Sequence, residues 1–63
     1  MTNKKYVRYM VIADFGTVNH ETESYKDAFS KYQRSERPKT IYGFDEQDNI
    51  SVILSDLRLW WAG

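Results

Sequence analysis

The chain's single histidine, His20, stands in a polar run beside Glu21 and Glu23, which makes it the first place to look for acid–base chemistry. Such chemistry needs a nucleophile matched to a base, paired carboxylates in a cleft, or a metal. No nucleophile can be matched to His20, and one histidine in a chain without cysteine cannot build a zinc site. It reads as an exposed strand residue. The run Asp45-Glu46-Gln47-Asp48-Asn49 offers the oxygen ligands that calcium takes. It lacks the glycine and the distal bidentate glutamate of an EF-hand loop, and reads as a hairpin turn. Gly16 and Gly43 stand alone, so there is no glycine-rich phosphate loop. A chain this short also struggles to enclose a pocket of the usual small-molecule size. These readings point away from an enzyme and imply no cofactor and no metal.

The aromatic residues carry more information. Two Trp, five Tyr and three Phe make 16% of the chain aromatic, more ring surface than one helix laid on one sheet can cover. Phe15, Phe29, Tyr32 and Phe44 are expected in the core. Trp60 and Trp61 sit beside Leu57, Arg58 and Leu59, and neighbours on an extended chain point in opposite directions, so at most one of the pair can face the core. Two readings stay open: the tryptophans cap the ends of a small core, or they belong to a partner or homodimer surface. Tryptophan, tyrosine and arginine dominate binding hot spots. Tyr42, Arg58, Trp60 and Trp61 are therefore the expected anchors, with Asp45, Glu46 and Asp48 steering a basic partner. Tyr6, Tyr9 and Tyr42, with Lys4, Lys5 and Arg8 nearby, could instead stack bases on a sheet. Zero net charge and the absence of the RNA-recognition motif make a nucleic acid the lesser expectation.

The elements that must position these residues follow from local pattern. From Tyr6 to Phe15 the chain is β-branched and aromatic, with Val7, Tyr9, Val11, Ala13 and Phe15 forming one apolar set and the alternate residues mixed. Gly16 marks a turn, and Thr17 to Glu23 reads as a second strand, with a loop as its rival. Ser24 is placed to cap a helix, with Asp27 at its third position near the positive end of the dipole. Tyr25, Ala28, Phe29 and Tyr32 recur at helical spacing, predicting a helix from about 25 to 35 that stops before Arg37-Pro38. Thr40 to Asp45 and Ile50 to Ser55 read as a hairpin over the acidic turn, with Ile50, Val52 and Leu54 on one face. The order is ββαββ, or βαββ without the second strand: an α+β fold with an antiparallel sheet of three to four strands and one helix on one face.

Length allows a single domain over residues 1–63, with 1–5 expected as a frayed end and 56–63 as a tail or strand extension. A chain of this size buries only about 60% of its unfolded surface, so its stability margin is thin. Without cysteine no disulfide can widen it. Nine basic residues balance nine acidic ones, which excludes the strong field of a dedicated nucleic-acid binder or an acidic DNA mimic. Lys31, Arg34, Arg37 and Lys39 cluster mid-chain and read as solvated surface. Val7 to Ala13 is too short to span a bilayer and is broken by Arg8, and no cleavage site follows. No membrane association and a cytoplasmic location are the default expectations.

The order of residues YMVIADFGT…ETESYKDAFSKYQ…RPKTIYGFDEQDNISVI, over about residues 6–55, resembles small orphan accessory proteins of phages and prophages of Gram-positive bacteria. The resemblance implies a non-enzymatic protein that docks on a host factor, as anti-CRISPR proteins and other inhibitors of defence or replication enzymes do. It implies no catalytic residue, because such inhibitors block by occupying a surface. A small nucleic-acid-binding or transcription-modulating module is the alternative expectation.

Overall fold

The computed structural model describes residues 6–56. The expected frayed end at 1–5 lies outside the described residues, as does the expected tail or strand extension at 56–63 apart from Asp56, the last residue of β4. Within them the chain runs β1 (Arg8–Ala13), β2 (Val18–Thr22), α1 (Tyr25–Arg34), β3 (Lys39–Phe44) and β4 (Ile50–Asp56). The four strands form one antiparallel sheet in the order β2-β1-β3-β4, with α1 packed on it. This is the α+β fold expected from the sequence, with the second strand formed.

Local chemistry accounts for the boundaries. Ser24 Oγ accepts a hydrogen bond from the Asp27 N–H at 3.3 Å, which satisfies one of the orphan donors of the first turn. At the other end, Lys39 Nζ reaches back from β3 to donate to the carbonyls of Tyr32 at 3.0 Å and Ser35 at 3.4 Å. A cation at the negative pole of the helix is favourable, and the same ammonium lies 4.6 Å from the centre of the Tyr32 ring. In the β3–β4 turn Asp45 Oδ1 accepts from the N–H groups of Gln47 and Asn49, at 2.8 and 2.9 Å. That carboxylate replaces backbone partners the tight turn cannot supply.

Residues opposite one another in an antiparallel ladder share a face. Val11 pairs with both His20 and Ile41, and Ile41 pairs with Leu54. This set faces α1, where Val11, Ala28, Tyr32 and Ile41 form the buried core and Tyr9, Phe29, Ile53 and Leu54 pack against it. Five rings line the seam between helix and sheet in sequence of contact: Tyr6, Tyr9, Tyr25, Phe29 and Tyr32, with centroids 5.5 to 6.4 Å apart. Much of the ring surface expected as surplus is absorbed here, by edge-to-face and stacked contacts.

Three expectations fail. Phe15 is 62% exposed rather than in the core. Asp14, Phe15 and Gly16 take φ of 53°, 55° and 90°, so the strand alternation ends at Ala13 and a left-handed turn carries Phe15 outward. Phe44 pairs with Arg8 on the face away from the helix, so it is not a core residue either. Ile50, Val52 and Leu54 do not share a face, because a bulge lets Tyr42 pair with Val52 while Ile41 pairs with Leu54. The extra residue, Ile53, turns with Leu54 toward the helix, and Ile50 and Val52 are left exposed on the other side.

Candidate functional site: the helix-free face of the sheet

The ladder that places Val11 and Ile41 under the helix places the alternate residues on the opposite face. β1 contributes Arg8, Met10 and Ile12 there. β3 contributes Thr40, Tyr42 and Phe44, and β4 contributes Ile50 and Val52. The pairs Met10–Tyr42 and Ile12–Thr40 occupy the two central strands, and Tyr42 continues across to Val52. No strand or α-helix of residues 6–56 covers this face, because the only α-helix among them lies on the other side. Ile50 and Val52 are 53% and 60% exposed, while Met10, Ile12, Tyr42 and Phe44 are half-buried by their neighbours.

The face is apolar with a charged margin. Arg8 lays its guanidinium 4.3 Å from the centre of the Phe44 ring and donates to Asp48 Oδ1 at 2.9 Å. The pairing fixes the arginine across one end of the surface. A planar guanidinium on a ring is a combination found in hot spots, since it offers apolar contact and directed donors together. Thr40 and Ser55 share a hydrogen bond at 3.2 Å and close the other end.

The residues expected at the site divide three ways. Tyr42 lies at the centre of the open face. Asp45 is committed to its own turn, also accepting from Asn49 Nδ2 at 3.3 Å, and Asp48 is paired with Arg8. Glu46 stands exposed at the tip. Arg58, Trp60 and Trp61 lie outside the described residues. Sequence reasoning missed Met10, Ile12, Phe44 and Val52; the signal available was that the second set of β1 is itself mostly apolar. The base-stacking platform of Tyr6, Tyr9 and Tyr42 does not form. Tyr9 pairs with Gly43 and meets Tyr25 of the helix, and Tyr6 meets Tyr9, so both are on the face opposite Tyr42.

Elsewhere, His20 Nε2 lies 3.0 Å from Asp27 Oδ2, joining β2 to α1. The hydrogen bond from His20, with a further one from Thr22, holds the Asp27 carboxyl below the usual carboxylate range. This is a strand-to-helix tie at the surface. A shallow depression at Ser35, Glu36, Arg37 and Lys39 contains two cations already engaged, Lys39 with the helix carbonyls and Arg37 with Asp56 at 3.0 Å. Among the described residues no group of three His, Cys, Asp or Glu side chains comes together to hold a metal ion, and no helix is long and apolar enough to cross a membrane. No family model, curated protein or solved structure matches the chain.

Proposed function

We propose that this chain is a non-enzymatic binding protein that docks on another protein through the helix-free face of its sheet. The observation that carries the reading is the continuous surface of Met10, Ile12, Tyr42, Phe44, Ile50 and Val52, left without a covering layer among residues 6–56. Sheets of this kind keep their free face polar when it meets only water. Here four of the six alternate positions of the two central strands, Met10, Ile12, Tyr42 and Phe44, are aromatic or aliphatic. An apolar, ring-bearing centre with Arg8, Glu46 and Asp48 at one margin has the composition of a protein-docking surface.

The finer reading follows from the sequence resemblance: a phage- or mobile-element-encoded protein, working in the host cytoplasm, that inhibits a host defence or replication enzyme such as a CRISPR effector. Inhibition by occupancy needs a surface and no chemistry. Trp60, Trp61 and Arg58 would extend the anchoring set of Tyr42, with Glu46 and Asp48 steering a basic partner surface.

The test uses the full chain immobilised against bacterial lysate, followed by purification of the captured protein and measurement of its affinity. Tyr42→Lys, with Trp60→Ala/Trp61→Ala as a second arm, is expected to weaken binding by about tenfold or more. Gln33→Lys, on the exposed side of α1, leaves it unchanged. Loss at Gln33 with retention at Tyr42 would refute the assignment of the face. Binding to single-stranded DNA that falls steeply with salt would favour a nucleic-acid-binding module instead.

A further inference from the structure

Among the described residues the sheet has two edges, β2 and β4, and they are protected very differently. β2 carries His20 and Glu21, and Glu23 follows it. β4 is longer, at seven residues, and from Ile50 to Ser55 it bears no charge and no proline. Charge and proline are the usual means of stopping an exposed edge from pairing with another chain. Among the described residues the one blunting device on β4 is the bulge at Ile53, which leaves Ile50–Val52 as the regular stretch. Those are also the residues whose side chains, Ile50 and Val52, are most exposed on the open face.

The geometry points to a second copy of this chain as the occupant of that edge: two β4 strands pair antiparallel about a two-fold axis normal to the sheet. Charge selects the antiparallel arrangement. At the start of β4 the acidic Asp45, Glu46 and Asp48 outnumber Arg8, which pairs with Asp48. At its end Lys39 and Arg37, 48% exposed, outnumber Asp56, which Arg37 holds at 3.0 Å. Antiparallel pairing sets the acidic end of one copy beside the basic end of the other, whereas parallel pairing sets like beside like. Centred on Ser51, it also places Ile50 opposite Val52 of the second copy, twice, and sets the acidic turn before β4 toward the second copy's Arg37 end. The open faces then lie on the same side, as one eight-stranded platform. So short an edge makes a small interface, and the dimer is expected to be weak and concentration-dependent.

Sedimentation of the full chain over micromolar to millimolar concentrations tests this. Wild type is expected to move from monomer to dimer, and Val52→Lys or Ile50→Lys alone to raise the dissociation constant about tenfold or more, through like charges brought close across the axis. Ile50→Glu combined with Val52→Lys is expected to recover most of the loss, since each Glu faces a Lys of the other copy. Circular dichroism checks that each variant, altered only at exposed positions, keeps its fold. A chain that stays monomeric throughout, a dimer indifferent to the single changes, or a double variant as weak as the singles would each overturn the proposal. Ile50 and Val52 also belong to the proposed docking face, but sedimentation reads the chain alone with no partner present, so failure here is separable from failure of partner docking.

Discussion

Gly43 sits mid-strand in β3, where glycine normally weakens a sheet, and the structure gives it a specific reason to be there. A Cβ built on Gly43 would lie 2.7 Å from Ile53 Cδ1 and from Tyr6 Cδ1, and 2.9 Å from Tyr6 Cγ. Both neighbours belong to the helix-side layer, and the tyrosine is further held by its ring contact with Tyr9 at 6.2 Å. Ile53 can yield by rotating a terminal methyl, but a phenol ring approached at two atoms must shift as a body. Overpacking of this kind costs about 1–3 kcal/mol. Alanine regains about 0.5–1 kcal/mol by restricting the unfolded chain. The difference spans about 0–2.5 kcal/mol. With a rigid ring approached at two atoms, Gly43→Ala is expected to lose about 1 kcal/mol or more, roughly 4–8 °C in Tm per kcal/mol for a domain of this size. Urea and thermal unfolding measure both. Ile53→Val removes the clashing Cδ1, and alone should cost about 0.5–1.5 kcal/mol. In the Gly43→Ala background it should cost at least about 0.5 kcal/mol less, because residues in contact couple. An unchanged or higher Tm for Gly43→Ala, or strict additivity in the pair, would refute the close-packing argument.

Two further perturbations probe the features that tie the fold together. Asp27 has a lowered folded-state pKa, owing first to its hydrogen bond with His20, so its contribution is present above the ordinary carboxylate range and is lost as pH falls through the depressed value. Asp27→Asn is expected to flatten the acid limb of the stability curve, and identical acid limbs in the two proteins would count against the His20–Asp27 tie. Phe15 holds a φ of 55°, a left-handed conformation disfavoured for bulky residues, so Phe15→Asn is expected to raise stability by about 1 kcal/mol in urea unfolding. A fall of similar size would mean that side-chain contacts of Phe15 outweigh its backbone strain.

What the sequence disclosed was largely what single elements decide for themselves. The Ser24 cap, the Tyr25–Ala28–Phe29–Tyr32 stripe and the acidic turn each rest on neighbours within a few residues, and each is found where the pattern placed it. What it concealed depended on pairing between strands. Whether Tyr9 shares a face with Tyr42 is set by the β1–β3 register, in which a shift of one residue reverses every side chain. Whether Leu54 joins Val52 is set by a bulge, and nothing in ISVILS marks which residue will be the extra one. Phe15 escaped for a related reason: Gly16 signalled a turn, but not that the left-handed region would begin two residues earlier at Asp14. The open face was thus legible only as a mixed set in β1, since its other half comes from β3 and β4. Ring count alone also misled, because the seam between helix and sheet takes five rings edge to edge.

Methyl-resolved NMR of the full chain, titrated with the purified protein it captures, addresses the docking face most directly. The methyl groups of Met10, Ile12, Ile50 and Val52 are expected to shift or broaden on binding, while those of Val11, Ile41 and Ala28, buried between helix and sheet, stay in place. Perturbation concentrated at Ala28 and Val18, with Met10, Ile12 and Val52 unmoved, would mean that the partner binds the helix side and that the bare sheet face is not the docking surface.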